Sequence, residues 1–277
     1  MRDHFQSASE SALVEIIGIT IFAAAVALIA PSITVELSGN TLIAVGVVLA
    51  IVPAAIWMIA FYRQDKLEPE PKQYLVGMFV LGAILAQAIG QPLIRDFFRF
   101  QEWAGNNFLL GFVGSILIVG VVQEFLKYAA VRYTIFGAAE FDQPVDGIIY
   151  AASAGLGYAT TLNIQYVITN GGVDLGVGAV RCAIEALSQA STAGVVGYFL
   201  GQAKFRKMGP AWLPLGILAA AVLNGVVSLL LEIAPTIGTT FGFNIWAALI
   251  AAVVVAGAVF SGLLITMRRL NAEAIAR

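Results

Sequence analysis

Only one histidine, His4, and one cysteine, Cys182, occur in this 277-residue sequence. Their scarcity removes whole classes of chemistry. A lone cysteine cannot form an internal disulfide, so cysteine usage says nothing of the compartment. His4 lies in the N-terminal tail, nine residues before the first apolar run begins at Leu13. No histidine is therefore placed to enter a bilayer core, and a zinc site of the histidine-rich type is not expected. Charge is scarce too. Asp, Glu, Lys and Arg make up 12% of the chain, against roughly 25% in soluble domains. The net charge of −2 provides no basic field of the kind that draws nucleic acid.

What fills the chain is apolar: 60% of residues are hydrophobic. Eight apolar runs stand out, at about 13–32, 41–62, 74–94, 108–131, 145–168, 176–202, 212–233 and 244–267. Each suits a membrane span of roughly 20 residues. The breaks hold turn formers or charges, as at Ser38-Gly39-Asn40, Asn170-Gly171-Gly172 and Gly209-Pro210. The runs are continuous rather than alternating, which excludes a β-barrel. The first is too long for a signal-peptide core and reads as a retained span. The expectation is an all-α, polytopic membrane helix bundle of about eight transmembrane helices, a single integral membrane domain over 1–277. Seven spans is the rival count, if 13–32 lies in the interface or two runs merge.

Basic residues orient the chain. Arg2, Arg63, Lys66, Lys72, Lys127, Arg132, Lys204, Arg206, Lys207, Arg268, Arg269 and Arg277 fall on one side of an even-numbered bundle. Only Arg95 and Arg99 fall in the loops opposite, and Arg181 sits near the start of a span. Both termini are expected to be cytoplasmic, in the cytoplasmic membrane. The segment 95–107, with its Phe, Trp and charges, is either a short interfacial helix or an ordinary aromatic belt.

Ionisable side chains inside a bilayer cost a few kcal/mol or more and usually face the bundle interior. Gln123, Glu124 and Lys127 lie in the fourth run, with Glu124 and Lys127 three apart on one helix face and able to pair. Asp146 opens the fifth run just after Pro144, a helix-start pattern, and Asn163 and Gln165 follow in it. Arg181, Glu185 and Gln189 form a stripe at intervals of four in the sixth, and Asn224 and Ser228 repeat that spacing in the seventh. Gln87 and Gln91 do so in the third. Counting from each span start puts Gln123, Glu124, Leu162, Gln189 and Asn224 about 11 to 17 residues in, near one plane of the bilayer. Two readings stay open: interhelical hydrogen bonds with one or two buried ion pairs, or a polar cavity for catalysis or transport.

The loop FYRQDKLEPEP (61–71), with QEFLK (123–127), FDQPVDGIIYAASAGLGYATTLN (141–163), Arg181 and GYFLG (197–201), resembles the PrsW-type intramembrane proteases over about residues 50–230. The resemblance implies a multi-helix bundle, akin to the CAAX-processing membrane proteases, that cuts membrane-embedded substrates such as anti-sigma factors. It implies chemistry from paired Glu in an EExxK-like motif, a Glu before Asn in a FxxxEN-like motif, and His in the later helices. Here the first Glu of the pair is Gln123, although Glu124 and Lys127 remain. The Glu before Asn163 is Leu162, a His position holds Gln189, and in the HGxxD-like motif Asn224 and Ser228 replace His and Asp. Amides keep hydrogen-bonding capacity but give up the charge. The scaffold positions stay: Gly155, Gly157, Gly197 and Gly201 read as close-packing sites, and the Asp65–Pro71 loop as a cytoplasmic lock.

A catalytically inactive member that binds a membrane helix or partner protein fits this pattern, with lipids as surroundings and no metal. One alternative is an active peptidase with a carboxylate-only site on Glu124 and Glu185. There Arg181 beside Glu185 makes a structural ion pair the simpler account. The other alternative is a small-molecule or lipid transporter.

Overall fold

A computed structural model describes residues 2–33, 38–64, 71–233 and 244–275. Among them all regular structure is helical. Bilayer hydrocarbon offers backbone groups no partner, so a spanning segment must satisfy its N–H and C=O groups internally. The helices are α1 (Arg2–Ile29), α2 (Gly39–Gln64), α3 (Lys72–Leu85), α4 (Phe100–Trp103), α5 (Phe108–Gly114), α6 (Val121–Arg132), α7 (Asp146–Thr169), α8 (Leu175–Phe205), α9 (Trp212–Ile233) and α10 (Ile245–Ile275). Two π-helical stretches, Ala86–Gly90 and Pro92–Phe97, carry α3 onward. A third, Ser115–Gly120, joins α5 to α6.

Six helical stretches are long and apolar enough to cross a membrane, from Leu13–Ser32 to Ile245–Leu263. They coincide with six of the eight apolar runs. The other two runs are α7 and α8, which fall outside that group for a physical reason. They form the most extensive helix pair of the bundle, and α3 covers α7 on another side. From Asp146 to Thr160 every residue of α7 is buried. Helices surrounded by protein need small side chains more than greasy ones, and α7 accordingly sets Ala, Gly and Ser between its larger residues. The main core runs from Ile16 and Trp57 through α7 and α8 to Phe260. The chain is an integral membrane protein.

Glycine permits the central approach. A Cβ on Gly155 would meet the Gln189 carbonyl at 2.6 Å, and one on Gly157 would collide with the Phe79 carbonyl oxygen. On Gly197 and Gly201 it would strike the carbonyls of Gly147 and Pro144. These contacts are backbone against backbone, so no rotamer relieves them. Of the Asp65–Pro71 loop, all but Pro71 lies outside the described residues. The 95–107 segment is a π-turn, the single-turn α4 and a 3-10 turn at Ala104–Asn106, with Phe97 and Phe98 exposed.

Candidate functional site

Four helices deliver polar side chains to one buried cluster. The π-turn Ser115–Gly120 directly precedes the first turn of α6, which carries Gln123 and Glu124. Such local wide turns are frequent at functional sites. Gln123, Glu124, Lys127, Gln189 and Asn224 are all buried, Glu124 and Lys127 completely.

Lys127 Nζ donates to Glu124 Oε1 at 2.7 Å, closing the i,i+3 ion pair, and to Thr192 Oγ1 at 3.0 Å. Asn224 Nδ2 donates to Glu124 Oε1 (2.9 Å) and to Gln123 Oε1 (3.0 Å). Gln189 Nε2 donates to the same Gln123 oxygen at 3.0 Å and to Glu185 Oε1 at 3.1 Å. The Gln123 oxygen thus accepts from two helices, α8 and α9, and ties both to α6. Three atoms beside these bonds have no hydrogen-bond partner: Glu124 Oε2, Gln189 Oε1 and the Tyr158 hydroxyl oxygen. Tyr158 belongs to the same neighbourhood, with Lys127 Nζ 5.7 Å from its ring centroid.

The remaining sequence-selected residues are placed around this cluster or away from it. Leu162 packs beside Leu126 and Tyr158 as an apolar wall. Asn163 accepts from Arg181 Nη1 (3.3 Å) and donates to the Cys182 carbonyl (3.2 Å), a clasp between α7 and α8. Ser228 donates to the Asn224 carbonyl at 2.9 Å, within its own helix. Asp146 stands 17 residues before Asn163 on α7, roughly 25 Å along the axis, and does not join the cluster. Its carboxylate accepts from the Gln143 backbone N–H at 2.6 Å and shapes the turn into α7.

One expectation is corrected. Arg181 and Glu185 form no ion pair; the three ion pairs found among the described residues lie elsewhere. The guanidinium is drawn sideways onto the Tyr166 ring, 3.7 Å from its centroid, and to Asn163. The planar cation gains both a π face and an amide oxygen there, while Glu185 takes the Gln189 amide instead. Thr192 and Tyr158 join the cluster from outside the polar positions of the sequence motifs. Thr192 extends the Arg181–Glu185–Gln189 stripe by three residues, so the helical period held a usable signal for it. Nothing in the sequence marked Tyr158.

The shared acceptor makes Gln123 the joint of the cluster. Gln123→Leu is expected to destabilise the protein by about 1–3 kcal/mol, because the Gln189 and Asn224 amides lose an acceptor inside the bundle. Chemical unfolding of the purified protein in detergent measures it. An unchanged midpoint contradicts the role.

The sequence is similar to known proteins over most of this architecture. The profile described as PrsW family intramembrane metalloprotease matches residues 70–266. That range begins and ends later than the 50–230 suggested by the motifs. Among relatives, "Protease PrsW" of Bacillus subtilis (strain 168) is 30% identical over 177 residues, covering 63% of this chain and 77% of the relative. "Protease PrsW" of Oceanobacillus iheyensis is 31% identical over 186 residues, 66% of this chain and 80% of the relative. "Protease PrsW" of Clostridioides difficile (strain 630) is 28% identical over 191 residues, 67% and 78%. No solved structure matches.

Proposed function

Because this chain belongs to the PrsW family of intramembrane metalloproteases, we propose that it keeps the family's membrane scaffold as a proteolytically inactive member that engages a membrane helix or partner protein. The observation that carries this reading is the chemistry of the buried cluster. Hydrolysing a peptide requires an activated water, made by a carboxylate base or a metal. Where the family-like motifs carry Glu and His, this chain carries Gln123, Leu162, Gln189 and Asn224. The three amides among them bond to one another or to Glu124. None takes a proton from water at neutral pH.

The donor set also does not suit the metal that the family description implies. Zinc favours thiolate, imidazole and carboxylate ligands. The cluster offers amide oxygens and two carboxylates: Glu124, which already holds the Lys127 ammonium as its counter-cation at 2.7 Å, and Glu185, which accepts from the Gln189 amide; among the described residues no three His, Cys, Asp or Glu side chains gather to hold an ion. In this reading the protein lies in the cytoplasmic membrane with both termini cytoplasmic, which the one-sided distribution of Lys and Arg supports.

A second reading has one observation in its favour. Glu124 Oε2 is buried and has no hydrogen-bond partner, so it has lone pairs able to accept a proton from an entering water. In that reading Glu124 is a lone general base on the family scaffold.

One experiment separates the two. The protein is co-expressed with a single-span, anti-sigma-factor-like membrane protein, and cleavage is followed by immunoblot together with co-purification. The expected result is an intact partner that co-purifies, with Glu124→Gln and Glu185→Gln no different from the parent. Cleavage that disappears in Glu124→Gln would establish the second reading. Elemental analysis adds a separate check, with substoichiometric zinc expected in the purified protein and one tight zinc per chain contradicting the inactive assignment.

A further inference from the structure

We propose that the cavity between α4, α5 and α9 holds one acyl chain of a membrane phospholipid, a site distinct from the polar cluster. The cavity measures about 470 Å³ and is lined by Phe100, Phe108, Phe112, Ser115, Val119 and Ser228, among others. It is half-open to the exterior. Around it Phe108, Leu109 and Leu117 are exposed by 69%, 66% and 57%. In an integral membrane protein such a surface faces hydrocarbon, where acyl chains are the solvent.

The cavity has a built roof. Arg99 adopts a left-handed backbone (φ 50°, ψ 41°), the one non-glycine residue with positive φ among those described. That conformation costs about 1–3 kcal/mol and persists where surrounding contacts hold it. Here Arg99 Nε donates to Glu102 Oε1 at 2.7 Å, and Trp103 Nε1 donates to the Phe98 carbonyl at 2.9 Å. The turn brings Phe100 and Ala104 over the cavity. Arg95, Asp96, Arg99 and Glu102 are exposed ion-pair partners beside it. Charged pairs with a Trp are the side chains found at headgroup level. The cavity therefore begins where a phospholipid's glycerol gives way to its chains.

Hydrogen-bonding demand selects the occupant. An extended peptide in hydrocarbon needs a partner for each N–H and C=O. The lining hydroxyls have already committed their protons, Ser115 to the Phe112 carbonyl (2.7 Å) and Ser228 to the Asn224 carbonyl (2.9 Å). A hydrocarbon tail asks for no hydrogen bond and packs on the three Phe rings. Ser228 also places the occupant one turn of α9 from Asn224, so the filled cavity backs the wall that carries the amide cluster.

The test uses the full chain in phosphatidylcholine nanodiscs doped with a phosphatidylcholine bearing a diazirine on one acyl chain. After irradiation, labelled peptides are mapped by mass spectrometry. Label is expected to concentrate on residues 100–119 and on Ser228 and Leu229, above the level at the lipid-facing Ile250 and Val254 of α10. Ser115→Phe and Val119→Trp each fill the cavity and are expected to lower that label about tenfold, leaving α10 unchanged. Lining label no higher than that of α10, or unaffected by both folded variants, overturns the site. A peptide co-purifying in the cavity in place of lipid also overturns it. Should neither variant fold, the label distribution of the parent protein decides. No outcome depends on whether the protein cleaves anything.

Discussion

Lys127→Met is expected to lower the unfolding free energy by about 3–5 kcal/mol, the cost of leaving one charge of a buried pair without its partner. Lys127 and Glu124 have no exposed side-chain surface. Removing the ammonium strands the Glu124 carboxylate, whose Oε2 already lacks a hydrogen bond, with only the Asn224 amide to offset its charge. Lys127→Met combined with Glu124→Gln is expected to recover most of the loss, since neither charge then needs desolvating. Chemical unfolding in detergent, run as a double-mutant cycle, measures the coupling. Thr192→Val calibrates the scale: it removes one hydrogen bond from the same ammonium and is expected to cost only about 0.5–1.5 kcal/mol. A Lys127→Met protein as stable as the parent would mean that the pair is not ionised.

The second large effect is steric. Gly157→Val is expected to abolish folding or to destabilise beyond the roughly 1–3 kcal/mol usual for overpacking. The obstacle is the Phe79 carbonyl, a backbone atom of α3, and the next nearest atoms are also backbone. α3 must then move off α7, which empties contacts along the whole interface. Gly77, on the same helix α3, is the internal control. A Cβ there meets nothing within 4 Å, so Gly77→Ala is expected to be neutral or to stabilise by about 0.5–1 kcal/mol through helix propensity. Thermal unfolding followed by an intrinsic-fluorescence shift distinguishes the two. Equal melting temperatures would deny that α3 and α7 touch at Gly157.

Both predictions concern positions that were visible in the sequence to different degrees. Glu124 and Lys127 could be paired from their spacing alone, because i and i+3 share a face in any helix. Gly157 could be marked as a close-packing position, but not its contact with Phe79, 78 residues away along the chain. Arg181 and Glu185 show the limit of helical spacing. At i,i+4 they suit an ion pair, yet the Tyr166 ring and Asn163 amide on α7 compete for the guanidinium and win. Asp146 shows a second limit, since a polar residue in an apolar run need not belong with the others. It sits at the far end of α7 and serves the turn before it.

The sequence by itself determined that this protein is a bundle of membrane helices. A bilayer admits few solutions to the backbone hydrogen-bonding problem, and long continuous apolar runs select the helical one. It also determined which residue types are present to do chemistry, because folding cannot add a histidine to the apolar runs of a chain whose one histidine is His4. Only the tertiary structure decided which polar groups meet. Gln123 joins Gln189 and Asn224 across 66 and 101 residues of chain, and the direction of a side chain around its helix depends on every neighbour packed against it.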